Sequence, residues 1–270
     1  MSDLIRAARL LRQELLIKDE PLKALDFLNA LNLPELEEEK NKTFMMVRHM
    51  FNYDDYLKTY KGGPFPDDFE VPQLLNADEI LPRFKWVFDK VKEQGAKSFL
   101  DFGCYNGALA LTLAKKLGIK VTGVELTTKA VEYANRKSTE LGLASLASFV
   151  NNDSLSYEGE KADAVSAMEI IEHVPNPQEF LKVLANHVKP GGWIYITTPN
   201  GAIEGGLGNK HTWEFNPQEG GVRGHVRAYN KVLLEKDLEG FEIKELFSRV
   251  DHIEGSNIDY LYAQVRPNAK

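Results

Sequence analysis

"FLDFGCYNGALA", Phe99 to Ala110, decides how the rest of the chain is read. A short apolar run of strand character ends at Gly103. A helical pattern then opens at "NGALALTLAKKLG" and is closed by Gly118, a favourable residue just past a helix end. Strand, sharp turn and helix follow one another with no room for a longer loop. Gly103 and Gly107 let the backbone approach a ligand closely, and the free N–H groups at the helix start favour polar or anionic atoms.

Outward from this stretch the same rhythm continues. "IKVTGVEL" reads as strand, "TTKAVEYANRKSTELGL" as helix, "LASFVNND" and "KADAVSAME" as strands, and "PQEFLKVLANHV" as helix. "KPGGWIYITTPN" turns through Gly191 and Gly192 into another strand. Strands alternating with helices of this length imply βαβ units, a parallel sheet and helices on both faces. The end breaks the rhythm: "NKVLLEKDL" is a short helix, and "FEIKELFSRV" and "NIDYLYAQVRP" are strands with no helix between them. The expected fold is therefore a doubly wound α/β sheet, mostly parallel, finishing in an antiparallel hairpin.

Before this region the pattern is helical only. "LIRAARLLRQELL" and "EPLKALDFLNALNL" carry apolar residues at helical spacing, the second opening on Pro21, and "LEEEKNKTFMMVRHMFNYDDYL" follows Pro34. The pair is similar to a single tetratricopeptide-like hairpin, and the acidic run fits a solvated helix start. "KTYKGGPFPDDFEVPQ", rich in Gly, Pro and aromatics, reads as a linker or lid, and "NADEILPRFKWVFDKVKEQG" as a helix with Pro82 near its start. These shifts predict a helical region over 1–56, a linker or lid over 57–76 and the sheet domain over 77–270.

Bulk properties narrow the function classes. The chain has 270 residues, 43% hydrophobic and 27% charged, as an ordinary globular protein does. Its net charge of −7 argues against tight sequence-independent binding to a nucleic-acid backbone. No apolar run suits a membrane span, and "MSDLIRAARLLRQELL" mixes charges into its apolar stripe, unlike a signal peptide. The one cysteine, Cys104, leaves no intrachain disulfide. A reducing, cytoplasmic location is expected.

Three acids, Asp101, Glu125 and Asp153, stand at predicted strand ends. Roughly twenty residues beyond the glycine loop, Glu125 ends "VTGVEL", where a carboxylate can accept hydrogen bonds from ribose hydroxyls. Asp153, in "VNNDSL", stands where a carboxylate or adjacent backbone can meet an adenine edge. The spacing Gly-x-x-x-Gly, with Tyr105 between, departs from the dinucleotide fingerprint Gly-x-Gly-x-x-Gly, so NAD is disfavoured. "AMEIIEHVPNP" places Glu169, Glu172 and His173 at i, i+3 and i+4, one face of a helical turn if the segment coils there. A metal site, a base with an orienting partner and a structural brace are all open for it. The long glycine-rich stretch "TTPNGAIEGGLGNKHTWEFNPQEGGVRGH" reads as a lid or binding loop, with Trp213, Phe215 and Tyr229 as pocket residues and Arg223 and Arg227 as candidates for an anionic acceptor.

Taken together, "LDFGCYNG", "GVEL", "NND", "ADAVSAMEIIEHVPNP" and "KPGGWIYITTPN" resemble the class I S-adenosylmethionine-dependent methyltransferases, over about residues 96 to 266. The resemblance implies a seven-stranded sheet with a reversed last strand. It also implies S-adenosylmethionine as cofactor, with Asp101, Gly103 and Gly107 beside its methionine and ribose, Glu125 on the ribose hydroxyls and Asp153 with Ser154 flanking the adenine. The family loop usually has glycine where this chain has Tyr105, so that side chain turns away from the cofactor or packs over it.

The Glu-x-x-Glu-His stretch is similar to that of ubiquinone-biosynthesis O-methyltransferases. It is also similar to that of small-RNA 3′-terminal 2′-O-methyltransferases, in which two Glu and a His bind a divalent cation with a second His. Carried over, the metal set would be Glu169, Glu172, His173 and His225, with His211 as a substitute, and the ion Mg²⁺, Mn²⁺, Fe²⁺ or Zn²⁺. Without metal, Glu169, His173 or His225 would be the catalytic group. The expected activity is O-methylation of a hydroxyl on a small molecule or glycan. RNA 3′-terminal 2′-O-methylation and an inactive binding module are the alternatives, and the N-terminal helices are expected to serve as lid, dimer surface or docking module.

Overall fold

Trp86 explains how the first helix of the sheet domain is held. Its ring meets Tyr195 and Tyr262 edge-on, at centroid distances of 5.6 and 5.2 Å, and Phe247 stacks on Tyr262 at 5.0 Å. Aromatic contacts of this kind add roughly 0.5–1.5 kcal/mol each beyond their buried area. The computed structural model in which these contacts lie describes residues 2–17, 20–37, 39–41, 43–44, 81–174, 176–200, 229–253 and 256–268.

The helix carrying Trp86 is α3 (Pro82–Gln94), preceded by α1 (Ser2–Ile17) and α2 (Pro21–Leu31). After α3 come β1 (Ser98–Phe102), α4 (Ala108–Leu117), β2 (Lys120–Glu125), α5 (Thr128–Glu140), β3 (Ala147–Asn151) and β4 (Ala162–Met168). The chain continues through α6 (Pro177–His187), β5 (Val188–Pro199), α7 (Lys231–Asp237), β6 (Phe241–Ile253) and β7 (Ser256–Pro267). The seven strands form one sheet in the order β3-β2-β1-β4-β5-β7-β6. β1 to β5 are parallel, and β7 enters antiparallel to both β5 and β6. The expected seven-stranded, mostly parallel sheet with a terminal antiparallel hairpin is the fold observed.

Central strands are buried on both faces, as a parallel sheet covered by helices requires. One face packs Trp86, Phe99, Leu113, Phe149, Tyr195 and Tyr262 against α3, α4 and α5. The other packs Phe102, Phe180, Ile196, Leu234 and Leu261 against α6 and α7. The chain leaves β1 toward β3 and returns to β4 on the other side of β1, so a crevice opens beyond the carboxyl ends of β1 and β4.

One boundary differs from the sequence expectation. β5 begins at Val188, directly after α6, and runs through Gly191 and Gly192 rather than starting beyond them. The accommodation is a register shift against β4 between Ala162 and Ala164. At the amino end, Ala8, Leu28 and Leu36 form a small core of their own, with Ile5, Phe27, Leu31 and Leu33 packed on it. α2 stops where Asn32 adopts φ +46 and its N–H returns to Leu28 O. The linker predicted over 57–76 lies outside the described residues. Among the described residues no helix is long and apolar enough to cross a membrane.

Candidate active site

The glycine loop joins β1 to α4 at the crevice. Gly103 N–H and Cys104 N–H both donate to Val124 O, at 2.7 and 3.2 Å, which bends the chain out of β1. Gly103 has φ +64, and a Cβ there would lie 2.2 Å from Ile170 Cδ1. Gly107 has φ +75, and a Cβ would lie 2.6 Å from the Phe149 ring. Both positions therefore exclude a side chain twice over, by conformation and by space. Tyr105 lies between them with φ +48, left-handed like the glycines, and its side chain is exposed.

Glu125, at the end of β2, holds this loop from the side. Its Oε2 accepts from Tyr105 N–H at 3.0 Å and its Oε1 from Thr127 N–H at 2.8 Å. Each carboxylate oxygen keeps a second lone pair, so the group is oriented and still able to accept from ribose hydroxyls. At the next strand end, Asn152 N–H donates to Glu125 O (3.1 Å), and Asp153 accepts from Leu155 N–H (3.1 Å), capping the short 3-10 turn Ser154–Ser156. Glu125, Asp153 and Ser154 thus come together along the rim formed by β2 and β3.

Asp101 lies beneath the loop on β1, 3% exposed. Ser166 Oγ donates to its Oδ1 at 2.5 Å. Burial pushes its carboxyl up to about 7; the Ser166 bond opposes that rise and the charge of Glu125 adds to it.

The Glu-x-x-Glu-His stretch does not coil. β4 ends at Met168, Glu169 takes φ +59, and residues 171–173 form a turn. The left-handed Glu169 breaks the helical spacing, so i, i+3 and i+4 do not share a face. Glu169 N–H donates to Thr197 O (3.0 Å), and its carboxylate accepts from Thr197 Oγ1 (2.7 Å). Glu172, 1% exposed, accepts from Thr198 Oγ1 at 2.9 Å. Neighbouring residues of a strand point to opposite faces, so the two glutamates are held on opposite sides of β5. His173 N–H donates to Ile170 O (2.7 Å), and its Nε2 lies 4.0 Å from Glu172 Oε1.

Burial raises the Glu169 carboxyl to about 7, with the positive charge of Arg83 and the Thr197 bond opposing. Burial and then the charge of Glu169 raise Glu172 well above the usual carboxylate range. Among the described residues no group of three or more His, Cys, Asp and Glu is placed to hold a metal ion. Glu169 and Glu172 are each held by a separate threonine, on opposite sides of β5. His225 and His211, with Trp213, Phe215, Arg223 and Arg227, lie outside the described residues. Tyr229 is buried, and its hydroxyl donates to Asp237 Oδ2 at 2.8 Å, tying it to α7.

Arg83 belongs to the site and was missed in the sequence. Its Nε and Nη1 are buried with no hydrogen-bond partner among the described residues. The guanidinium lies 5.0 Å from the centroid of Tyr260 and 5.4 Å from that of Phe84. Buried donors without an acceptor are costly, and a guanidinium fork matches a carboxylate. The available signal was its place directly after Pro82 and one turn before Trp86, on the inward face of α3.

Comparison with known proteins places this architecture. Residues 73–244 match the family described as "Methyltransferase domain". The chain belongs to that methyltransferase family. Its sheet is the fold of S-adenosylmethionine-dependent members: a methyltransferase of this kind from Clostridium acetobutylicum ATCC 824 aligns with TM-score 0.52 at 14% identity, over 75% of this chain and 94% of that one. The N-methyltransferase NodS from Bradyrhizobium japonicum WM9, in complex with S-adenosyl-L-homocysteine, aligns with TM-score 0.51 at 17% identity, over 73% and 95%. The [4+2]-cyclase SpnF aligns with TM-score 0.56 at 17% identity, over 84% and 96%, so the fold alone does not fix the chemistry.

Among curated relatives, the ubiquinone biosynthesis O-methyltransferase of Paracidovorax citrulli (strain AAC00-1) is 38% identical over 125 residues, 45% of this chain and 52% of that protein. That of Chromobacterium violaceum is 37% identical over 123 residues, 45% and 53%. The chain spans about half the length of the curated relatives it matches. The methyltransferase cleft fits the cofactor of this fold in two ways. Gly103 and Gly107 hold the loop in the left-handed turns that bring its backbone to the cleft, and Arg83 presents buried donors with no hydrogen-bond partner among the described residues.

Proposed function

We propose that this methyltransferase transfers a methyl group from S-adenosylmethionine to a hydroxyl of a small-molecule or glycan acceptor. The observation that carries the reading is Glu169: half-buried at the end of β4, turned by φ +59 and raised to about 7. A general base works best when its pKa lies near the operating pH. The O-methyltransferase names of the curated relatives support the choice of oxygen over nitrogen.

In this reading the cofactor supplies an electrophilic methyl group on a sulfonium. Asp101, Gly103 and Gly107 line its methionine and ribose, Glu125 accepts from the ribose hydroxyls, and Asp153 with Ser154 borders the adenine. Arg83 offers its free N–H edge to the carboxylate of the methionine. Glu169 takes the proton of the acceptor hydroxyl as the new O–C bond forms and the C–S bond breaks, leaving the electron pair on sulfur. His173 and His225 are the other candidates for that proton. Thr197 fixes the direction of the Glu169 carboxylate, and Glu172 braces the turn from the other side of β5.

The test is methyl incorporation from labelled S-adenosylmethionine into a panel of catechols and sugars, in EDTA. Glu169→Gln is expected to slow incorporation by about a hundredfold or more while S-adenosylhomocysteine binding is retained. Full activity in Glu169→Gln would remove Glu169 as the base. Activity that appears only with added Mn²⁺ or Mg²⁺ would restore the metal set Glu169, Glu172, His173 and His225. Labelling of RNA 3′ ends instead of small hydroxyls would replace the acceptor class.

A further inference from the structure

We infer that Tyr260, on the last strand, is a positioning residue for the cofactor: its ring holds the Arg83 guanidinium where the methionine carboxylate arrives. The inference rests on the proposed cofactor reading and adds a residue from the opposite end of the sheet domain to that subsite.

Arg83 has a nearby acid to collapse upon. Glu169 stands close enough for the two charges to act on each other, yet no ion pair joins them among the described residues. What occupies the guanidinium is a ring face, Tyr260 at 5.0 Å, with Phe84 at 5.4 Å. A cation over an aromatic face is attracted by the ring quadrupole without using its N–H donors. Tyr260 therefore retains the charge while leaving Nε and Nη1 unspent, which a carboxylate partner would not do.

The platform is rigid. Tyr260 is 4% exposed and pairs with Pro199 at the end of β5. Two residues on, Tyr262 packs between Trp86 and Phe247 and donates to Asp251 at 2.6 Å. Trp86 is on the same helix as Arg83, one turn later. One aromatic cluster thus fixes both the helix that carries the guanidinium and the strand that carries the ring. A leucine at 260 would fill much of the space but would offer no quadrupole.

Two ligands separate positioning from packing. S-adenosylhomocysteine carries the carboxylate; 5′-methylthioadenosine shares its adenine, ribose and thioether but lacks the amino-acid portion. Both are titrated by calorimetry into the parent, Arg83→Met, Tyr260→Phe and Tyr260→Leu. Arg83→Met is expected to lose S-adenosylhomocysteine affinity by tenfold or more with 5′-methylthioadenosine unchanged. Tyr260→Leu is expected to follow the same pattern at about five- to tenfold, and Tyr260→Phe to behave as the parent. Equal losses on both ligands in Tyr260→Leu, or no loss on either, would overturn the positioning role. A large loss in Tyr260→Phe would assign the effect to the hydroxyl and overturn it as well. A parent that binds neither ligand would instead refute the cofactor reading beneath it.

Discussion

Glu169 and Glu172, three residues apart, bind adjacent threonines on opposite faces of the same strand: Thr197 at 2.7 Å and Thr198 at 2.9 Å. The pair therefore splits between two environments, one at the crevice and one in the core beneath it. This split separates a residue that can meet substrate from one that holds the turn in place.

The brace is testable at Glu172. Its carboxyl favours the proton in its buried position, so glutamine reproduces both its shape and its neutrality. Glu172→Gln is expected to cost less than about 1 kcal/mol of stability, while Glu172→Ala costs about 2 kcal/mol by leaving Thr198 without its acceptor. Urea denaturation of the two variants checks this. A glutamine variant as unstable as the alanine variant would mean that the charge itself is structural.

Asp101 gives a pH signature. Its pKa is about 7 in the fold against an ordinary value of 3.8, so between these values the folded state holds a proton that the unfolded chain has released. The contribution of this group to stability is thus fully present below about pH 4, declines as pH rises through 7 and is level above that. Asp101→Asn keeps an acceptor for Ser166 and removes the ionisation. Before ligand is added, it is expected to be more stable than the parent at pH 8, by up to about 4 kcal/mol, with the difference closing as pH falls to about 4. A stability difference independent of pH would show that Asp101 does not titrate in this range.

The glycine loop should resist substitution for two separable reasons. Gly103→Ala drives a Cβ into Ile170 and forces a side chain into left-handed backbone at φ +64. The expected loss is about 2 kcal/mol or more. Adding Ile170→Ala should recover the steric part and leave about 1 kcal/mol for the backbone. Chemical denaturation of the single and double variants measures the split; strictly additive losses would mean that the two side chains do not meet.

Which parts of this were legible in the sequence follows from how far each signal reaches. Strand and helix periods are local, so the alternation from Phe99 onward and the closing hairpin gave the sheet. Glycines at positive φ announce themselves at Gly103 and Gly107, and an acid closing a strand does so at Glu125. The partners that set the chemistry are distant in the chain. Thr197 and Thr198 read only as the end of an apolar strand, and nothing in their spacing says that each faces a different glutamate. Ser166 meets Asp101 through strand pairing across 65 positions. Arg83 and Tyr260 meet only because α3 packs on β7. The Glu-x-x-Glu-His face depended on one backbone torsion, since Glu169 leaves the helical region and the helical spacing no longer applies.

The central claim, that the crevice between β1 and β4 binds S-adenosylmethionine through Glu125, is tested most directly by calorimetry with S-adenosylhomocysteine and with NAD on the parent and Glu125→Ala. S-adenosylhomocysteine is expected to bind the parent, to weaken about tenfold or more in Glu125→Ala, and to do so where NAD gives no heat. Absence of S-adenosylhomocysteine binding to the parent, or preference for NAD, would contradict the account.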